Sequence, residues 1–459
     1  MKRLSLLSFV ILISFCVILV GLTAKETVAE EPEDYYVKIN QSDQTLLPED
    51  IAWLSVSVTP NISSGNVTWT SRNPSVVSVE PSGNNSLDCK ITALKAGTAI
   101  IEASYEGKMD RITVTVQQIT ITLGETDVVM IENDSHQLGV NISPSSASEY
   151  LTVTSSNSQI AQYFSSRIYS YGEGTAMLTF EIRGVKATCS VEVLGGWINA
   201  SESINGNKDA RVDINEKYGV SVFGNVSLTN GEYKGVLTAT VLSEGMTNGS
   251  LTANAESYLE KCLKLIGEKA SWAPINVDID VGSATTLSLG QNVMTLLIEA
   301  NASLEAISDN IGLILDSKSV KGLGNSALLF SVKEASNSTS IENAKVYDIS
   351  LTSGSRNVTS VNGEATLMFP YAIVGDAASQ KISAYSVTSD GSPIAVETSY
   401  DAVKELVSVT MSSWGQIAVS TTGPGNDPAG TSMLSYIVLA VIIVLAVLCV
   451  VLCYRYLRM

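Results

Sequence analysis

Histidine is nearly missing from this chain: His136 stands alone among 459 residues. A multi-histidine metal site is excluded, and at most one histidine base remains for acid–base work. His136 lies in a polar stretch beside a sequon, where a surface loop is expected. No G-x-S-x-G, H-E-x-x-H or P-loop pattern occurs, and no C-x-x-C pair. Cysteine is sparse as well. Cys16, Cys449 and Cys453 fall in the apolar ends, which leaves Cys89, Cys189 and Cys262, about one per segment. An odd, scattered set is no disulfide framework. Each is expected to be a small buried hydrophobe, the alternative being one bridge plus a reactive thiol. Charge is scarce and one-sided: 28 Lys and Arg against 46 Asp and Glu, a formal net charge of −18. That balance excludes nucleic acid, whose phosphates need a basic surface.

The acids themselves make no recognisable site. Asp278 and Asp280 alternate in VDID and should share one strand face, and Asp209 and Asp213 stand close in DARVDINE. Calcium between modules would use such oxygens, but no twelve-residue calcium loop is present. Solvated strand faces are the expectation, with no cofactor, no metal and no catalytic residue assigned.

Long apolar runs occur only at the two ends. The chain opens MKRLSLLSFVILISFCVILVGLTAKETVAE: basic Lys2 and Arg3, an apolar stretch, then small residues at Thr27-Val28-Ala29. This is the pattern of a secretory signal over 1–29. Residues 433–454 read MLSYIVLAVIIVLAVLCVVLCY without a charge, long enough for one membrane-spanning helix. Arg455 and Arg458 in the tail, 455–459, place that end in the cytoplasm. TTGPGNDPAGTS, 421–432, reads as a flexible linker. The expectation is a single-pass protein of the cell membrane, most of it extracellular, with the lipid bilayer as one partner.

N-glycosylation sequons are dense: Asn40, Asn61, Asn66, Asn84, Asn133, Asn141, Asn199, Asn225, Asn248, Asn301, Asn337 and Asn357. Pro144 weakens the Asn141 site. Their use would fit an exported chain of an archaeon or a eukaryote.

Between the ends, residues 34–117 show short alternating strands separated by Pro, Gly and Asn turns, without helical periodicity. Residues 118–195 repeat the plan. VTWTSRNPSVVSV, 67–79, matches LTVTSSNSQIAQY, 151–163, and LKAGTAIIEASYEGKMDRITVTV matches YGEGTAMLTFEIRGVKATCSVEV. A repeat of this size implies two β-sandwiches in series. Trp69, in an alternating strand, is the expected core plug, and Gly97 a turn where a β-carbon would obstruct.

These segments resemble the bacterial immunoglobulin-like group 2 family, a sandwich module of adhesins and other surface proteins. Its first hallmark, W-x-S-x-N-P-S-V, appears as Trp69, Ser71, Asn73, Pro74 and Val76. The second appears as Ile91, Ala93, Gly97, Thr98, Ala99 and Ile101. The second copy is degenerate: Val153 stands for Trp69, Ser158 for Pro74 and Ser170 for Ala93, while Gly174 and Thr175 keep the Gly-Thr pair. The resemblance implies tandem immunoglobulin-like sandwiches in an archaeal-type adhesin-like surface protein.

Residues 196–343 read as mixed α+β. In ANAESYLEKCLKLIGEK, 253–269, Tyr258, Leu259, Cys262, Leu263 and Ile266 fall at helical spacing. MTLLIEANASLEAISDN reads as a strand followed by a short helix. A strand ending at Asp316, another short helix and a strand then follow. Residues 344–420 read as nearly all strand, with Asp390-Gly391 as a hairpin turn. They resemble an accessory β module of surface proteins at Tyr347–Leu351, Ala365–Tyr371, Tyr385–Gly391 and Ser413–Ile417.

The fold class expected is therefore mainly β: tandem immunoglobulin-like β-sandwiches, then a mixed β-rich region with short helices, and one C-terminal transmembrane helix. The expected function is a non-catalytic, membrane-anchored surface protein for adhesion or envelope architecture, with cell-surface proteins, envelope proteins or glycans as partners. A carbohydrate-binding protein is the alternative, with Tyr35-Tyr36 and Tyr163, Tyr169 and Tyr171 as its aromatics. An enzyme on 196–420 would need a cleft holding a carboxylate pair.

Overall fold

A computed structural model describes residues 35–421, except 63, 337–340, 342, 374–380 and 389–391. The chain parts into two compact units. The first runs to Gly124 and adds Gly139–Thr154 and Thr179–Thr188. The second takes Glu125–Leu138, Ser155–Leu178 and the chain from Cys189 onward. Segment 118–195 thus gives strands to both.

The first unit holds an immunoglobulin-like sandwich of two four-stranded sheets. One orders Tyr36–Ile39, Ile51–Thr59, Asp88–Ala93 and Val77–Ser82; the other orders Gln44–Leu46, Lys108–Val116, Gly97–Tyr105 and Thr68–Ser71. Alternation in sequence becomes alternation across each sheet. Leu54, Val56, Cys89 and Ile91 point inward from one sheet, and Trp69, Ile101, Ala103 and Val114 from the other, forming one buried core. The unit also contains an antiparallel pair, Thr120–Leu123 with Val140–Ser143.

In the second unit, Gly196–Glu202, Lys208–Lys217, Val220–Thr229 and Glu232–Val241 run antiparallel, each beside the next. The pattern then changes. Glu232–Val241 lies parallel to Ile275–Gly282, which lies parallel to Ser303–Ser308. Parallel neighbours need long crossovers, and helices α1 (Ala253–Ala270) and α2 (Gln291–Glu299) supply them. Thr252 caps α1, its hydroxyl accepting from Ala255 N at 3.2 Å. Tyr258, Leu259, Cys262, Leu263 and Ile266 are all buried against the sheet core, as their spacing predicts. Along the same helix Lys261 pairs with Glu192 at 2.7 Å and Lys269 with Asp134 at 2.5 Å. A third helix, α3 (Ser317–Leu323), follows strand Gly312–Leu315. Lys345–Ser353 pairs with Leu328–Ala335, and Ser360–Pro370 with Gly312–Leu315, so strands of 344–420 continue the sheets begun before them.

Two expectations change here. MTLLIE belongs to α2, and SLEAIS is the strand Ser303–Ser308, the reverse of the sequence reading. A short apolar run has no decisive period, and the crossover geometry settles it. The second correction concerns the membrane. Among the described residues no helix is long and apolar enough to cross one; the longest, α1, is amphipathic and spends its apolar side on the core. Residues 1–29 and 433–454 lie outside the described residues, as do 455–459 and all of the linker 421–432 except Thr421. The fold class is accordingly mainly β with short helices and no established anchor. The lack of a membrane-crossing helix among the described residues overturns the membrane-anchored, single-pass topology, the bilayer as partner and the cell-membrane location expected from the sequence.

Candidate functional site

The two hallmark stretches of the first repeat meet in space. Asn73, Pro74 and Ser75 turn the chain so that Val76 lies over Gly97. Gly97 has φ +149°, and a β-carbon there would fall 3.0 Å from Val76 Cγ2. Leu94 N donates to Val76 O at 2.8 Å, closing the same corner. Trp69 is buried and donates from Nε1 to Ser86 O at 2.8 Å. Ala93 is fully buried, whereas Pro74 and Thr98 are exposed. Arg72, inside the turn, reaches Glu102 Oε2 at 2.9 Å, and Arg111 Nε reaches the same oxygen at 2.8 Å. The Arg72 hydrogen bond leads in holding Glu102 below the usual carboxylate range, against its burial, with Arg111 adding to it.

The second copy repeats the corner. Gly174 has φ +137°, a β-carbon there would meet Ile160 Cδ1, and Tyr171 N donates to Ile160 O at 2.8 Å. Thr175 is exposed and Val153 only half-buried. Ser170, in place of Ala93, is buried but satisfied: its hydroxyl donates to Ile131 O at 2.6 Å and accepts from Asp134 N at 3.0 Å. The serine standing in place of Ala93 is therefore compensated by polar contacts.

Within the first unit one arginine links the two repeats. Arg183 donates to Pro48 O and pairs with Asp50 Oδ1 at 2.7 Å, and its guanidinium lies 3.9 Å from the centre of the Tyr150 ring. The other Asp50 oxygen accepts from Leu47 N at 2.7 Å, fixing the loop. Beneath it, Leu47 packs with Ile119, Ala147 and Ile182 in a small separate core. The clamp was not legible in the sequence, because Arg183 and Asp50 are 133 residues apart and carry no local pattern.

All the described sequon asparagines are exposed: Asn40, Asn61, Asn66, Asn84, Asn133, Asn141, Asn199, Asn225, Asn248, Asn301 and Asn357. Asn337 lies outside the described residues. Of the tyrosines proposed for sugar stacking, Tyr36 and Tyr171 are exposed, Tyr163 and Tyr169 are half-buried, and Tyr35 packs edge-on against Tyr105 at 4.9 Å. The sequence reading missed Trp197 and Phe223, 46% and 69% exposed on the sheet of the second unit. Each stands two residues before a sequon asparagine, a signal visible in the sequence.

The remaining chemistry is thin. Cys89, Cys189 and Cys262 are free and buried, and burial pushes their thiols up to about 11, 11 and 12. His136 is on the strand Ser135–Gln137 rather than a loop, and its Nε2 lies 2.9 Å from Glu125. No cluster of three or more His, Cys, Asp or Glu among the described residues could hold a metal ion. A hollow of about 630 Å³ opens where the parallel strands Glu232–Val241 and Ile275–Gly282 end, lined by residues such as Ser243, Asn248, Ser283 and Thr286. None of its lining residues is a carboxylate, so it lacks the acid pair that the enzyme alternative requires.

Asp278 lies beside Glu305 on the neighbouring strand. Burial, then the charge of Asp280, raises the Asp278 carboxyl; burial, then Asp278, raises Glu305, with Asn276 and Lys404 opposing. Raised acids favour the fold in their neutral form. This contribution grows as pH falls through the raised values and is lost as pH rises above them. Asp278→Asn is therefore expected to raise the melting midpoint of the second unit at pH 7, with the difference vanishing near pH 3. Calorimetry at the two pH values checks it, and an unchanged or lower midpoint at pH 7 refutes it.

No family model matches the chain, and no curated protein shows significant sequence similarity to it. The likenesses found are to solved structures, at low sequence identity. Domains 4 and 5 of the S-layer protein SbsC are 16% identical, over 35% of this chain and 97% of theirs, with a TM-score of 0.20. The longer rSbsC(31-844) is 17% identical over 45% of this chain and 36% of its own, with a TM-score of 0.21. The I9–I11 tandem from titin is 16% identical over 43% and 82%, with a TM-score of 0.26. Identities this low bear on fold alone, and TM-scores this low carry no functional argument. What stands is the architecture seen directly: an immunoglobulin-like β-sandwich in the first unit, and β-rich sheets with short helices in the second.

Proposed function

We propose that the chain is a non-catalytic protein of a cell surface or envelope, serving architecture and adhesion, with its two N-terminal repeats of the bacterial immunoglobulin-like group 2 kind. The observation that carries this reading is the Arg183 clamp. A charged side chain, 11% exposed, is spent on joining a loop of one repeat to strands of the next, with a dedicated apolar core beneath it. Such a joint stiffens the first unit, tying the first repeat to the parts of the second that share that unit, which is useful in a spacer or an adhesin and has no part in turnover. The exposed sequons fit a surface kept wet and shielded by glycans, and the partners proposed are envelope proteins or glycans.

Two measurements test this. Arg183→Ala is expected to cost the first unit about 1.5–3 kcal/mol, the range for hydrogen bonds to charged groups, and to lower the force at which that unit yields in single-molecule pulling. An unchanged force would remove the mechanical argument. The full chain should also bind saturably on an array of glycans and envelope proteins and survive prior deglycosylation. A folded sample that binds nothing would leave a spacer role alone, and turnover of any arrayed glycan would overturn the non-catalytic reading.

A further inference from the structure

Trp197 and Phe223 occupy the same place twice. On a strand, outward side chains recur every second residue, about 7 Å apart. The next outward residue after Trp197 is Asn199, and after Phe223 it is Asn225; all four are exposed. Each asparagine heads a sequon, Asn199-Ala200-Ser201 and Asn225-Val226-Ser227. Strand Lys208–Lys217 lies between them and sets the register. Trp197, Asp213 and Phe223 form one cross-strand row, and Asn199, Arg211 and Asn225 form the next. The two aromatic–asparagine pairs therefore stand in register two strands apart, about 10 Å. No other described sequon has an aromatic residue two positions before its asparagine.

Beside Asn225 the surface is hollowed. A cavity of about 220 Å³ is lined by Asn225 and Gly235 together with Asp209, Arg211, Ser227 and Lys234. Asp209 and Arg211 pair at 3.5 Å. The ring supplies an apolar platform, and the hollow supplies donors and acceptors for hydroxyl groups. That combination suits a pyranose, which has one C–H-rich face and a polar rim.

We propose that Asn199 and Asn225 are N-glycosylated and that the first sugar of each glycan lies back over the neighbouring ring, Trp197 or Phe223. The proposal rests on the reading of the chain as an exported surface protein, since only that route meets a glycan transferase. In the transfer, the asparagine amide nitrogen bonds to C1 of a sugar carried on a lipid phosphate or diphosphate. The bond from C1 to the phosphate oxygen breaks, the lipid phosphate leaves with the electron pair, and the amide gives up one proton. Stacking then covers two large apolar side chains that the polypeptide leaves open, through dispersion contacts of the kind aromatic faces make. The row of Arg211 between the two asparagines sets the glycans side by side, so that one patch of sheet carries a paired sugar cover.

The test uses the full chain secreted by N-glycosylating eukaryotic cells. Sites are read by peptide mapping after enzymatic release in heavy-oxygen water. Both asparagines are expected to be occupied. In the native protein, release at Asn225 should be slowed about threefold to tenfold relative to Phe223→Ala, the range an aromatic contact carries. Phe223→Ala should speed release at Asn225 without moving Asn40 or Asn357. Trp197→Ala should do the same for Asn199, and Trp197→Phe should keep the protection. Both residues are exposed, so the variants keep the fold. Empty Asn199 and Asn225 beside filled sequons elsewhere would overturn this proposal and leave the surface reading intact, whereas a chain with every sequon empty would count against both. Release rates unmoved by the substitutions would overturn the stacking. Unglycosylated chain binding a soluble polysaccharide, with that binding lost in Trp197→Ala and Phe223→Ala, would assign the face to a foreign glycan instead.

Discussion

Trp69→Ala is expected to cost the first sandwich about 3–5 kcal/mol, the usual penalty for emptying a large aromatic site in a core. Domains of ordinary stability hold only about 5–15 kcal/mol in total, so the sandwich should lose most of its margin. Trp69 is buried on the strand Thr68–Ser71 and stands opposite Ala103, whose small side chain leaves it room. Its removal also leaves Ser86 O without the indole donor at 2.8 Å. Trp69→Phe separates the two losses. It keeps most of the volume and forfeits the hydrogen bond, for about 0.5–1.5 kcal/mol from that bond. Hydrogen exchange read over Gly97–Tyr105 gives the answer for this unit alone. Exchange there as slow in Trp69→Ala as in the parent would show that the indole is not the core plug.

The parts of the fold legible in the sequence are those set by neighbours along the chain. Alternation in VTWTSRNPSVVSV places Trp69 inward and Thr68 and Thr70 outward, because a strand has period two. The spacing of Tyr258, Leu259, Cys262, Leu263 and Ile266 fixes α1, since only a helix brings all five to one side. What failed was set by distant partners. MTLLIE has an apolar run that either period accommodates. It is helical because the parallel strands on its two sides need a crossover, and nothing within the run states that. The clamp is similar: Arg183 looks like any surface arginine until Pro48, Asp50 and Tyr150 are folded around it. The candidate aromatics show a third kind of miss. Tyr35 and Tyr36 are neighbours in sequence, but only Tyr36 is exposed on the strand Tyr36–Ile39, and Tyr35 is taken up by Tyr105. Trp197 and Phe223 needed the period-two rule applied to the sequons themselves.

The second copy shows how the plan tolerates loss of its hallmarks. It lacks the tryptophan and the proline, and a serine stands for the buried alanine. It keeps the glycine because the glycine is a backbone requirement. A side chain can be exchanged for another of similar volume, or its hydroxyl satisfied as Ser170 is by Ile131 O. A chain path at positive φ with a neighbour lying over it has few alternatives.

Gly97→Ala is the direct test, with an expected cost of about 1–3 kcal/mol to the first unit. Two causes contribute, and they can be separated. The conformation at φ +149° is one that residues with a β-carbon rarely adopt. The new methyl would also lie 3.0 Å from Val76 Cγ2, close enough that Val76 must give way by a few tenths of an ångström. Val76→Ala opens that space at its own cost, since Val76 is buried. The double variant should therefore be destabilised by less than the sum of the two single variants, and the shortfall measures the packing part. The remainder is the backbone part. Gly174→Ala, at φ +137°, should share the backbone part, while its contact is with the free end of the Ile160 side chain, which can turn aside. Denaturant unfolding of the three first-repeat variants, followed by exchange over Gly97–Tyr105, supplies the cycle. Strict additivity would show that Val76 and Gly97 do not sense each other. A shortfall of the expected sign would show that the Asn-Pro-Ser-Val turn and the Gly-Thr strand start occur together because each shapes the space the other needs.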